Sequence, residues 1–337
     1  MIEIKKDFPL KSRNTFGLDV NARFFVEASK ADKISFSLNY ASYYNLPIMV
    51  LGGGSNILFT KNYEGLIIHP LIQGIEITDD AQQSITVRVG AGITWDSLVE
   101  WSVSRGYGGL ENLSFIPGDV GASPIQNIGA YGVEAKDSIV KVEGLNIITK
   151  KMIEFTNAEC LFDYRYSIFK GELRHRVIIT HVHFKLSKSP TLTTHYGNLD
   201  EEIEKLEEKS IKTVREAVIN IRRRKLPDPA EIGNAGSFFK NPVVKASNFE
   251  SIQSKFDKVP SYPAAENNVK IPAGWLIEQC GWKGKQIGNC GVHKDQALVI
   301  VNLGNATGKE ILDLAHQIQK SVVDQFGIEL EMEVNVV

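Results

Sequence analysis

Cysteine is scarce: Cys160, Cys280 and Cys290 are the only three in 337 residues. The number is odd and no pair has C-x-x-C spacing, which argues against a zinc ribbon or a dithiol redox centre. They read as reduced structural thiols. Seven scattered histidines include no H-E-x-x-H motif, so no metal is expected. Charge of one sign is lacking too: 38 basic against 40 acidic residues leave −2, and no global pull toward nucleic acid or an anionic membrane. No apolar run approaches the ~18 residues of a membrane span. The stretch Met1-Ile2-Glu3-Ile4-Lys5-Lys6-Asp7 has no apolar signal core. A cytoplasmic protein without membrane insertion is expected.

What is present is ordinary globular composition, 43% hydrophobic and 23% charged, long enough for two or three domains. The first third alternates strand and helix. Phe24–Ala28 reads as a strand, and Ile34, Leu38 and Ala41 give helical spacing over Ala31–Asn45. Ile48–Leu51 reads as a short buried strand, and Leu66–Ile68 as the next. Ile85–Val89 alternates like a half-buried strand, and Thr94 is placed to cap a helix running to Gly106. Val140–Ile148 and Val177–Leu186 are expected strands. The Glu/Lys-dense tract 200–209 reads as a solvated helix face. A helix over Ile211–Lys225 ends at Leu226-Pro227-Asp228-Pro229, an expected domain boundary. Ile311, Leu314, Ile318, Val322 and Phe326 form an apolar stripe closed by Gly327. Ile328–Val336 alternates strictly and reads as a strand.

Four segments are rich in chemistry. Gly52-Gly53-Gly54-Ser55-Asn56 follows a strand, and its backbone donors can approach a phosphate. It is neither a Rossmann fingerprint nor a P-loop, since it leads toward a strand and no Gly-Lys-Ser/Thr follows. Ile116–Gly132 holds four Gly, two Pro and one charge, Asp119, which suits wrapping a large flat ligand. Arg222-Arg223-Arg224-Lys225 is the strong basic run, and on a helix its side chains cannot all face one way. One or two of them can hold a diphosphate or carboxylate. In Gly233–Pro242, Ser237 lies between a glycine turn and an aromatic pair. The segment is no G-x-S-x-G elbow. A serine hydroxyl is a weak acid, fit to protonate only a strong base such as a carbanion.

Taken in order, these segments resemble the UDP-N-acetylenolpyruvoylglucosamine reductases, the MurB family. The resemblance also rests on Arg13–Gly17, Gly109–Leu113, Tyr164–Lys170, Lys225–Pro229, Ala273–Cys280, Val292–Leu298 and Leu330–Val334. It implies an α+β fold: a two-part FAD-binding module of the vanillyl-alcohol-oxidase type plus a separate α+β substrate-binding domain. The expected division is 1–70 and 71–225 for the FAD module and 226–337 for the substrate domain, with the last strand free to return to the module. The implied reaction is NADPH-dependent reduction of the enolpyruvyl ether of UDP-N-acetylglucosamine to UDP-N-acetylmuramate, in peptidoglycan precursor synthesis.

The resemblance also implies roles. FAD, non-covalent, would be held by Gly52, Gly53, Gly54, Ser55, Asn56, Pro117, Gly118, Ser123, Pro124, Gln126, Asn127, Ile128 and Gly129, with NADPH as co-substrate. Ser237 would protonate the α-carbon, while Arg165 and Glu333 stabilise the enolate. Glu333 would need a raised pKa to donate a hydrogen bond, which burial can supply. Tyr164, Arg222, Lys225, Asn241 and Gln296 would contact substrate, and Tyr196, in Thr194–Leu199, would cover it. Where the family often has Arg, this chain has Asn335. Two other readings stay open: a flavin oxidase that passes its electrons to oxygen, and a non-catalytic sugar-nucleotide or flavin-binding module.

Overall fold

The computed structural model describes residues 2–206, 208–265 and 267–337. The chain divides into two compact units. One comprises the chain up to Phe8, Ala22–Gly53 and Glu64–Arg224. The other comprises Pro9–Asn21, Gly54–Tyr63 and Lys225–Val337.

The first unit is built around two sheets. One orders its strands Lys5–Pro9, Asn21–Ala28, Tyr63–Pro70 and Ile48–Val50, the last two running parallel. The helix Ala31–Tyr43 turns Ile34, Leu38 and Ala41 onto this sheet, where they join Val26, Leu66 and Ile68 in one apolar cluster. The other sheet is antiparallel, in the order Met152–Thr156, Ile139–Asn146, Val177–Ser187, Ser84–Gly90 and Ile75–Asp80. Its strand alternation works as the sequence implies. Ile85, Val87 and Val89 pack inward with Trp95, Leu98 and Val99 of the helix Trp95–Ser104. Each such burial contributes about 1.5–3 kcal/mol. The opposite face carries a polar cluster. Arg88 donates from Nε and Nη2 to the two Glu143 oxygens at 3.0 and 2.7 Å, and His183 Nε2 lies 2.6 Å from Glu143 Oε1. The helix Ile211–Lys225 buries Val214, Ala217, Val218 and Ile221 against Leu199 and Ile203.

The second unit holds an antiparallel sheet in the order Gly233–Ser237, Val299–Asn302, Cys290–Val292 and Gln286–Ile287. A three-stranded sheet, Val243–Lys245, Asn268–Lys270 and Tyr262–Ala264, accompanies it. The helix Gly308–Phe326 buries Ile311, Leu314, Ile318 and Val322. A capping box of Thr307 and Glu310 opens it, and Gly327 closes it at φ 67°.

Four elements depart from expectation. Ile48–Val50 is an edge strand with Val50 exposed, not a buried one. Thr94 takes the N-cap position, but its hydroxyl bonds that of Ser97 at 2.6 Å and no backbone amide. The tract 200–209 is helical only over its first four residues, within the five-residue helix Leu199–Ile203, in which Glu202 is buried and paired with Arg224; Glu207 lies outside the described residues. Ile328–Val336 is no continuous strand. Met332 bridges Phe239, and then Asn335–Val336 pairs in parallel with Ile57–Leu58. The chain changes partner at Val334, which breaks the ladder although the burial alternation survives at Ile328, Leu330 and Val334. Among the described residues no helix is long and apolar enough to cross a membrane.

Candidate active site

In the first unit the Gly52–Gly53 end of the glycine loop meets the turn at Gly118–Asp119. A Cβ on Gly53 would stand 2.9 Å from Gly118 Cα, and one on Gly52 would stand 3.2 Å from Asp119 Oδ2. A side chain at position 53 would collide with backbone, and one at position 52 would have to push the Asp119 carboxylate aside by a few tenths of an ångström. The loop is tethered by the carbonyl of Leu51, which sits 2.7 Å from the Nδ1 of buried His69. Gly118 has φ 117°, Asn127 φ 47°, Tyr131 φ 49° and Gly132 φ 82°, so the segment Ile116–Gly132 has four residues of positive φ. Buried Asn127 braces it, donating to Glu134 at 2.9 Å and to the Asp163 carbonyl at 3.1 Å, and accepting from the Lys136 amide. Ser123 spends its hydroxyl on the Val120 carbonyl, and Ser167 donates to Ile125. The result is a stiff, nearly uncharged backbone surface suited to a diphosphate and a flat ring system. Pro117 is exposed on it, Pro124 is buried, and Gln126, Ile128 and Gly129 are half-buried.

Arg165 stands at the tip of a tight turn closed by reciprocal bonds between Asp163 and Tyr166, with the Tyr164 amide donating to Asp163 Oδ1 at 2.7 Å. Its φ of 53° is left-handed, a strained conformation of the kind concentrated at functional sites. Its guanidinium lies 5.6 Å from the Tyr164 ring centroid, and Nη2 donates to the Gly129 carbonyl. Buried Asn112 donates to the carbonyls of Tyr131 at 2.9 Å and Thr193 at 2.7 Å. It thereby joins the glycine-rich segment to the base of the Tyr196 loop. Tyr196 is 43% exposed, and its ring meets that of Tyr131 edge-on at 6.5 Å.

The basic run separates as helical geometry requires. Arg224 pairs with Glu202 through two bonds of 3.0 and 2.6 Å, Arg223 lies over the Phe115 ring at 5.3 Å, and Arg222 Nε donates to the Phe115 carbonyl at 3.0 Å. Burial draws the Arg222 pKa down and the charge of Arg165 adds to that, while Tyr131 and Asp96 oppose it. Two guanidinium groups in electrostatic contact favour an anion beside them.

In the second unit, Ser237 is exposed at the end of its strand, after Gly236 at φ 68° and before the fully buried Phe238 and Phe239. The Glu333 amide donates to the Phe238 carbonyl at 2.8 Å, so the half-buried Glu333 runs alongside Ser237–Phe238. The Glu333 carbonyl accepts from Asn56 Nδ2 at 3.2 Å, and Asn335 Nδ2 donates to the Asn56 carbonyl at 3.1 Å. Asn241 Oδ1 accepts from the Ala273 amide at the start of the helix Ala273–Gln279, and Gln296 Oε1 would stand 3.3 Å from a Cβ on Gly274 in that helix. Lys225 is exposed.

The fold therefore gathers Gly52 and Gly53 with Gly118, and Arg165 with Gly129 and Arg222, in the first unit. It gathers Ser237 with Glu333 and Asn56, and Asn241 and Gln296 around one helix, in the second. Gly54, Ser55 and Asn56 belong to the second unit, so the unit boundary falls inside the glycine loop. Asn112, Asp96 and His69 escaped the sequence reading. An acid in the first turn of a helix was the available sign for Asp96, and Asn112 lies in Gly109–Leu113, a segment matched without a role.

Comparison with known proteins places the chain among relatives. Residues 22–151 match a family model described as an FAD binding domain, and residues 228–337 match the C-terminal domain of UDP-N-acetylenolpyruvoylglucosamine reductase. The chain is 48% identical to the UDP-N-acetylenolpyruvoylglucosamine reductase of Flavobacterium johnsoniae over the whole of both chains. It is 47% identical to that of Bacteroides fragilis over 98% of this chain and 99% of the relative. The crystal structure of the Thermus caldophilus enzyme of that name superposes with a TM-score of 0.69 at 24% identity, over 100% of this chain and 98% of the other. 6-Hydroxy-D-nicotine oxidase from Arthrobacter nicotinovorans shares the fold at a TM-score of 0.57 and 16% identity, over 99% and 89% of the two chains.

Proposed function

Since the chain belongs to the UDP-N-acetylenolpyruvoylglucosamine reductase family, we propose that Ser237, Arg165 and Glu333 carry out proton transfer and charge stabilisation in that family's reaction. The substrate is UDP-N-acetylglucosamine enolpyruvate, and the product is UDP-N-acetylmuramate for peptidoglycan synthesis. FAD, bound without a covalent link and reduced by NADPH, supplies a hydride when present. Gly52 and Gly53, where added Cβ atoms would crowd Asp119 and Gly118, are suited to hold its diphosphate.

Hydride arriving at the β-carbon sends the π electrons of the C=C bond onto the α-carbon and the carboxylate. The guanidinium of Arg165 and a neutral carboxyl at Glu333 stabilise that developing charge by donating hydrogen bonds to it. The enolate is basic enough to take the Ser237 proton at its α-carbon, which completes reduction of the double bond. The observation that supports these roles is the run of Glu333 alongside Ser237–Phe238, tied by the 2.8 Å amide bond. In the same reading Tyr164, Arg222, Lys225, Asn241 and Gln296 contact the substrate, and Tyr196 closes over it. The functional division in this reading is 1–70 and 71–225 for FAD and 226–337 for substrate, with the last strand free to return to the FAD module, and the setting is the cytoplasm.

The test is Ser237→Ala. It should bind FAD and be reduced by NADPH at a near-normal rate, while reoxidation by substrate falls by about 10²–10⁴-fold. The unaltered protein in deuterated water should place deuterium at the product α-carbon. Reoxidation of the variant at the normal rate would remove Ser237 from the mechanism. Reoxidation by oxygen alone, with no response to the sugar nucleotide, would instead favour an oxidase.

A further inference from the structure

Arg222 reaches its position through a neighbour that is itself under constraint. Phe115 has φ 59°, a left-handed conformation uncommon for a bulky residue. Its amide donates to Asp96 Oδ1 at 2.6 Å, and its carbonyl accepts from Arg222 Nε at 3.0 Å. Asp96, the second residue of the helix Trp95–Ser104, is gripped in turn by Arg215, whose Nη1 and Nη2 donate to its two oxygens at 2.7 and 2.9 Å. Arg215 and Arg222 are seven residues apart on one helix and so share a face. The contacts close a ring: helix, Arg215, Asp96, Phe115, Arg222, helix.

Such a ring does two things. The ionised Asp96 is a strong acceptor, and the bond to it compensates the backbone strain at Phe115. The Phe115 carbonyl, so fixed, holds Arg222 by Nε, which orients the plane of the guanidinium and turns its two Nη groups as a fork. Arg222 feels the charge of Arg165 in that position.

We propose that Asp96 and Arg215 are positioning residues that aim Arg222, through the Phe115 peptide, at an anionic group of the substrate. This inference rests on the substrate-contacting role given to Arg222 above. The group is a carboxylate or a diphosphate, both of which accept a guanidinium fork.

The test is calorimetric titration of the oxidised holoenzyme with the enolpyruvyl substrate and, in parallel, with UDP-N-acetylglucosamine, which keeps the diphosphate and lacks the carboxylate. Arg222→Met should weaken substrate binding by about 10–100-fold, the value of a charge-assisted contact. Asp96→Asn should weaken it by about 3–30-fold and leave flavin reduction by NADPH unchanged. The double variant should bind no more weakly than Arg222→Met alone. Parallel loss with both ligands assigns Arg222 to the diphosphate, and loss with the substrate alone assigns it to the carboxylate. If Asp96→Asn lowers the melting temperature too far to titrate, Arg215→Lys carries the same comparison, since it keeps the charge and loses the fork. Full additivity of the Asp96 and Arg222 losses overturns the positioning role while leaving Arg222 a substrate contact. So does an equal loss in NADPH-driven reduction. Normal binding by Arg222→Met overturns the parent assignment and this inference with it.

Discussion

Arg165 Nη2 donates to the Gly129 carbonyl at 2.8 Å across 36 positions of sequence. The bond makes the orientation of a proposed catalytic guanidinium depend on a glycine in another segment. A Cβ on Gly129 would stand 3.1 Å from Arg165 Nη1 and 3.0 Å from Glu134 Cγ. Gly129→Ala is expected to displace the Arg165 head by a few tenths of an ångström. Flavin reoxidation by substrate should slow by about 10–100-fold, more than flavin reduction by NADPH does. Stopped-flow absorbance of the two half-reactions checks this, and equal slowing would rule out a specific effect on Arg165.

Adjacent glycines in the loop should fail differently. Gly53→Val places bulk against Gly118 Cα and should yield folded protein with poor FAD occupancy, read from absorbance in the visible region. Gly54 has φ 67°, and a Cβ there would stand 2.0 Å from the Arg13 carbonyl oxygen. Gly54→Ala should therefore lower the melting temperature before it affects the cofactor. A stable, flavin-free Gly54 variant would contradict this division.

Asn112 is 2% exposed and serves two carbonyls at once. Asn112→Leu leaves both without their buried donor, at a cost of about 1–3 kcal/mol each. It should loosen the Tyr196 loop and raise its susceptibility to limited proteolysis. Substrate binding should weaken in the same direction as in Tyr196→Ala, while NADPH-driven reduction changes little. Unchanged cleavage in the loop would show that Asn112 does not hold it.

Acid should destabilise the first unit in two stages. Burial pushes the His181 pKa down to about 4, with the charge of Arg88 adding to it. Burial raises the Glu143 pKa, but hydrogen bonds from Arg88 and His183 overcome it and leave the carboxyl at about 2. The unfolded chain has ordinary values of about 6.5 and 4.3. It therefore binds protons more readily than the folded protein, and stability falls as the pH is lowered. The His181 contribution is complete above about pH 6.5 and is lost toward 4, on the order of 2–3 kcal/mol, and the Glu143 contribution follows between about 4.3 and 2. His181→Asn should flatten the first stage and leave the second, as followed by melting temperature against pH.

The parts of this fold that could be read in advance are those whose pattern has a local cause. Ile211–Lys225 and the stripe Ile311–Phe326 follow from 3.6-residue periodicity and fall where expected. Ile328–Val336 shows where a period misleads: alternation records which side chains are buried, and the ladder depends on a partner that changes from Phe239 to Ile57–Leu58. Ser237, Arg165 and Glu333 came from resemblance; taken alone, an arginine in a Tyr-Arg-Tyr run or a glutamate on an alternating stretch carries no sign of function. Asn112 and Asp96 were invisible for another reason. Asn112 works only toward the backbone of Thr193 and Tyr131, and Asp96 toward the Phe115 amide and an Arg215 that is 119 positions away, so neither partner is marked in the local sequence.

The pairing of Asn56 with Glu333 and of Thr60 with Val337, each 277 positions apart, sets a timetable for the newborn chain. At about 5–20 residues per second, a ribosome takes roughly 15–55 s to deliver the second partner after the first. Throughout that interval Ile57–Leu58 waits without the strand it will pair with, and the Phe238 carbonyl waits, more briefly, for the Glu333 amide. Slow decoding, or shortage of a chaperone that shields such an edge, should therefore depress the yield of active enzyme more than its stability once folded would suggest.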